Sequence, residues 1–126
     1  MTDSPSPGFD RTVALARVGG DEDLLRELID DYLRDSPGWR DDLRRAAVGG
    51  DAAGLRRAAH TIKGAVGYFG ADAAATTADR IQIRGRAGDV AAAAADLPEL
   101  EQTLDRLATA LRAFVSDRPS SSEDLS

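Results

Sequence analysis

Apolar residues recur along this chain at intervals of three and four, the spacing of one face of an α-helix. Across residues 21–48 they fall at Leu25, Ile29, Tyr32, Trp39, Leu43 and Ala46, with Ser36 filling the gap between Tyr32 and Trp39. Ser36-Pro37-Gly38 should break a helix, because Pro37 clashes with the carbonyl of Leu33, yet the stripe stays in phase across it. The pattern predicts one long helix kinked at Pro37. From residue 89 onward Val90, Ala93, Leu97, Leu100, Leu104, Leu107, Leu111 and Phe114 keep an uninterrupted stripe. One further helix is therefore expected to run through Pro98, again kinked. No stretch alternates with period two, so no strand is expected.

Gly-Asp punctuation divides these stripes at Gly19-Gly20-Asp21, Gly49-Gly50-Asp51, Gly70-Ala71-Asp72 and Gly88-Asp89. Each reads as a helix ending in a left-handed glycine, followed by an aspartate that caps the next helix. The device predicts five helical segments: a short one after Asp10 ending at Val18, then 21–48, 51–69, 72–86, and a last one from Asp89. Short loops between long amphipathic helices favour antiparallel neighbours. The expected fold is all-α, an antiparallel four-helix bundle with a short additional N-terminal helix. Residues 1–8 and 116–126 are dominated by Ser, Pro, Gly and acidic side chains. They offer too little apolar surface to offset ordering entropy and are expected to be disordered tails, leaving 9–115 as the bundle.

Composition narrows the function. The chain has 126 residues, 16 Lys+Arg against 22 Asp+Glu, one His and no Cys. That length supports one domain with its own core. The absence of Cys and the single His exclude zinc fingers, iron–sulfur clusters and thiol catalysis. A net charge of −6 argues against nucleic acid as a partner. No apolar run approaches the roughly 20 residues that span a bilayer, and the acidic, Pro-rich start is no signal peptide, so a cytoplasmic location is expected. From the Met start and polar tails a free-standing protein is expected, with one module of a larger kinase as the other possibility. The paired acids Asp30-Asp31 and Asp41-Asp42 read as solvated faces of the long helix. Nearly every Ser lies in a tail and Ser36 in a core stripe, which leaves no Ser/His/Asp triad.

The third predicted helix holds the unusual chemistry. Leu55, Ala58, Ala59, Ile62, Ala65, Val66 and Phe69 cluster on its apolar face, and His60 lies about 140° from Leu55, outside that arc. Around it come Arg56, Arg57, Lys63, Gly64 and Gly67. Each glycine costs roughly 1 kcal/mol against Ala in a helix. Gly64, one turn beyond His60, and Gly67, two turns beyond, clear bulk from around the imidazole, as a closely approaching partner would require. Arg56 and Lys63 place cations one turn to either side, where they would lower the cost of holding a phosphate dianion and favour neutral, nucleophilic imidazole. On these features alone two readings stand: a phosphate-accepting nucleophile, or a surface histidine that happens to sit among basic residues.

Ala59-His60-Thr61-Ile62-Lys63-Gly64-Ala65, followed by Phe69-Gly70-Ala71, resembles the signature of histidine-containing phosphotransfer (HPt) domains, with Lys three and Gly four residues after an exposed His. Arg17-Val18-Gly19-Gly20-Asp21 and Gly49-Gly50-Asp51 are similar to the family as well, and the likeness spans roughly residues 9–115. Tyr68 departs from it, at a position where family members often carry a small or amide residue. The resemblance implies a phosphorelay intermediate in two-component signalling. His60 would be the phospho-acceptor, Lys63 would stabilise the phosphate, and Gly64, Gly67, Arg56, Arg57 and Tyr68 would form the docking surface. The implied partners are response-regulator receiver domains and a hybrid histidine kinase, with Mg²⁺ on the receiver and no cofactor on this chain, a monomer. With no Gly-x-x-x-x-Gly-Lys-Ser/Thr loop and no room for an ATP-binding domain, ATP-dependent kinase activity is not expected of this chain alone. A bundle that docks on and regulates a receiver or kinase without carrying phosphate is the alternative, and the intact His60 argues against it.

Overall fold

The computed structural model describes residues 9–117. It is all-helical there, with six segments: α1 (Arg11–Arg17), α2 (Glu22–Val48), α3 (Ala52–Tyr68), α4 (Asp72–Arg86), α5 (Val90–Ala95) and α6 (Leu97–Ser116). The expected stripes supply the core. Leu25, Ile29, Tyr32, Leu43 and Ala46 of α2 meet Leu55, Ile62 and Val66 of α3, Ile81 of α4, and Leu100, Leu104, Leu107 and Leu111 of α6. Burial pushes the Tyr32 phenol up to about 12, so it sits in that core as a neutral group. Phe69 closes one end, edge-on to Phe9 at 6.5 Å and to Tyr32 at 5.5 Å between ring centroids.

The Gly-Asp punctuation caps as expected at three of its four junctions, and Asp10 caps α1 in the same way. Asp10, Asp21, Asp51 and Asp89 each accept a bond from the backbone N–H three residues on, at 2.9–3.1 Å, satisfying a donor the first turn leaves free. Gly20, Gly50, Gly70 and Gly88 have positive φ. The fourth Asp does something else. Ala71 caps α4 without a side-chain bond, and Asp72 is the first helical residue, where its charge complements the helix dipole.

Two further expectations are corrected. The helix from Asp89 through Pro98 is two helices, so the count of four plus one becomes four long segments and two short ones, α1 and α5. Pro98 supplies no N–H to the Ala94 carbonyl and crowds it. The chain breaks at Asp96 and restarts with Pro98 in the first turn of α6, where its missing donor costs nothing. α2, by contrast, continues unbroken through Pro37. The C-terminal boundary also moves: Ser116 ends α6 and Asp117 caps it, so these two belong to the bundle. The tails expected at 1–8 and 118–126 lie outside the described residues.

One polar cluster ties α2 to α6. Arg44 donates to Glu101 at 2.6 and 2.9 Å and Arg40 at 2.7 Å. The Arg44 hydrogen bonds, opposed by partial burial and aided by Arg40, hold the Glu101 carboxyl below the usual carboxylate range. A group with a lowered folded pKa contributes stability above its unfolded value and loses it as pH falls through the folded one. Glu101→Gln is therefore expected to cost about 0.5–1 kcal/mol at neutral pH. In denaturant melts the gap between variant and parent should close in acid, below about pH 4.

Candidate functional site

α3 packs most extensively against α4, and one glycine permits it. A Cβ on Gly85 would stand 3.0 Å from the Ala52 carbonyl oxygen and 3.0 Å from the Arg56 nitrogen. Without a side chain there, the α4 backbone rests directly on α3. The polar side chains of α4 one and two turns earlier can then reach across.

They reach the histidine. His60 is exposed on α3 while its helical neighbours Ala58, Ala59 and Ile62 are buried. Its Nδ1 lies 3.2 Å from Nε2 of Gln82, a residue only 7% exposed. Nε2 of the ring has no partner among the described residues. The carboxamide sets the tautomer. With its N–H toward Nδ1, the ring proton sits on Nε2. With Oε1 turned inward, Nδ1–H donates and Nε2 keeps its lone pair towards solvent. Gln82 Oε1 has no partner where it stands, and that turn supplies one.

Lys63 is paired across the helix boundary in the resting protein. Its Nζ is 2.8 Å from Oδ1 of Asp79 on α4, with both side chains about two-fifths exposed. His60–Gln82 and Lys63–Asp79 are thus two rungs between α3 and α4, three residues apart on each helix.

The other side of His60 is open. A Cβ on Gly64 or Gly67 would meet no atom within 4 Å outside its own stretch of helix, so neither glycine serves packing. Gly64 borders an apolar hollow between α2 and α3 with Leu28, Tyr32, Trp39, Ala65, Tyr68 and Phe69, rimmed by Asp31 and Asp35. Tyr68 stacks edge-on against Phe69 at 5.9 Å, under the guanidinium of Arg17 at 5.7 Å. Trp39 also edges a second hollow, where Arg57 and Thr61 face Asp42 and Arg45. Arg56 is half-buried beneath the approach of Gly85. The structure thus places Gly64, Tyr68 and Arg57 with α2 residues on one side of His60 and Lys63 on its α4 side. Gln82 and Asp79, which sequence reading did not single out, complete the α4 side.

The arrangement holds Nδ1 of the ring and leaves Nε2 unobstructed, the geometry that a nucleophile acting on an incoming electrophile requires. Among the described residues no cluster of His, Asp and Glu could hold a metal ion, and no helix is long and apolar enough to cross a membrane.

No curated protein sequence matches the chain. Among solved structures, histidine-containing phosphotransfer protein B (HptB) from Pseudomonas aeruginosa PAO1 superimposes with a TM-score of 0.82 at 25% sequence identity, covering 90% of this chain and 98% of that one. Residues 27–110, which run from within α2 to near the end of α6 and include the whole histidine face, match the Hpt domain family, and the chain belongs to that family.

Proposed function

We propose that His60 is the phospho-acceptor of a relay between aspartyl phosphates of receiver domains. The observation that supports this most strongly is the asymmetry of the ring: Nδ1 engaged by a buried carboxamide, Nε2 unengaged beside glycines with empty space above them. In the step, the Nε2 lone pair attacks phosphorus, the bond from phosphorus to the aspartyl oxygen breaks, and the carboxylate departs with the electron pair. The ring becomes positively charged and retains its Nδ1 proton, which Gln82 Oε1 accepts. Alignment and charge neutralisation do most of the work in such transfers. The receiver would bring Mg²⁺ and its own aspartate, and this chain would need no cofactor.

Incubation with a receiver charged by acetyl phosphate and Mg²⁺ tests the reading. Acid-labile, base-stable phosphate is expected on the chain. Binding of the receiver with no phosphate on His60 would leave the regulatory adaptor instead.

Gln82 makes a separable prediction. Gln82→Leu removes a buried, half-satisfied amide, so stability should hold or rise slightly. Transfer should slow about tenfold, the worth of one orienting hydrogen bond. Rapid-quench kinetics alongside thermal melts would read both, and unchanged rates would deny Gln82 any part in setting the tautomer.

A further inference from the structure

Lys63 is spoken for in the resting protein, and the geometry points to a competition. We propose that Asp79 is a positioning residue that competes with the phosphoryl group on His60 for Lys63, and so limits how far phosphate accumulates on the histidine. The inference rests on His60 being the acceptor.

Lys63 lies one turn past His60 on α3, within reach of a group on the ring, but its ammonium sits 2.8 Å from Asp79. With side chains 44% and 41% exposed, this is a weak, exchangeable pair. A phosphoryl group carries close to two negative charges near neutral pH and would draw the ammonium away. Asp79 stands one turn from Gln82 on the α4 ridge that faces the histidine, so it then remains beside the phosphate as an unpaired carboxylate. Both effects act in one direction: phosphorylation must break the Lys63–Asp79 pair, and the freed charge repels the new one. The phosphorylated state is raised relative to the free imidazole, which keeps the phosphoryl group transferable.

The test uses the full chain and phosphoramidate, which needs no docked partner. Its P–N bond breaks, a bond forms from phosphorus to His60 Nε2, and ammonia leaves. At a fixed ratio of phosphoramidate to ammonium, ³¹P NMR reads the fraction of His60 labelled. Asp79→Asn should raise the ratio of labelled to unlabelled protein about threefold to fivefold, and Asp79→Glu should restore the parental value. In a Lys63→Gln background the same Asp79→Asn change should raise the ratio less, since only the direct repulsion of the phosphate by Asp79 is then left to remove, and that non-additivity marks the part that acts through Lys63. Asp79→Ser replaces the Asn variant if the latter does not fold. Parental labelling in Asp79→Asn, or an equal rise with and without Lys63, would overturn the proposal alone. A parent chain that takes no label would overturn the reading of His60 and this proposal with it.

Discussion

His60→Gln is expected to reduce phosphate uptake to background while leaving the fold intact. The ring is exposed, its only partner among the described residues is Gln82, and a glutamine amide can keep one hydrogen bond to that carboxamide. Substitutions at such positions usually move stability within about 0.5 kcal/mol. Acid-labile phosphate on the variant, measured after exposure to a charged receiver, would place the acceptor elsewhere. A large drop in melting temperature would show instead that the imidazole carries a structural load. Since the chain has one histidine, any phosphohistidine signal in the parent is assigned without mapping.

Gly64 carries the second large effect. Its Cβ direction is empty, so Gly64→Ala should be neutral or raise stability by up to about 1 kcal/mol through better helix propensity. Gly64→Gln should fold equally well, yet cut transfer from a receiver by an order of magnitude or more, because its side chain would stand where the partner's backbone approaches. Labelling by phosphoramidate should survive in the same variant. Loss of both routes would mean that the glutamine disturbs the imidazole itself. Destabilisation by Gly64→Ala would contradict the open space seen above α3.

Much of this was legible in the sequence because the fold is built from helices with unbroken apolar stripes. The stripe through Leu97, Leu100 and Leu104 was read correctly even where the helix was not. Asp96 at the break keeps right-handed backbone angles, φ −88° and ψ −9°, so the chain turns as a helix would and the apolar period survives. A periodic pattern cannot reveal such a break. Pro98 could have, since a proline in a first turn is as natural as a kink is rare. The glycines near the histidine stand out for a similar reason: Gly64 and Gly67 lie in a chain that uses alanine freely, and in the fold neither Cβ direction meets another atom within 4 Å outside its own stretch of helix. The α4 half of the site was not legible. Gln82 and Asp79 matter only because Gly85 lets two backbones touch, a tertiary fact. Its one trace in the sequence is a glutamine within an otherwise small or apolar buried stripe, Ala74, Ala78, Ile81 and Gly85. Lys63 was read from its spacing to His60, which gives its reach but says nothing of the carboxylate across the gap.

The two-sidedness of the histidine has a kinetic consequence. Gln82 and the Lys63–Asp79 pair occupy its α4 flank, so a partner has only the glycine-lined flank by which to reach Nε2. For the proposed relay, donor and acceptor must use that one flank in turn, and a ternary complex is sterically excluded. Flux would follow a ping-pong scheme, in which the spent donor has to leave before the next receiver can arrive. Its ceiling would be set by residence time on the α2–α3 face. A receiver that binds too tightly would then inhibit the relay it feeds.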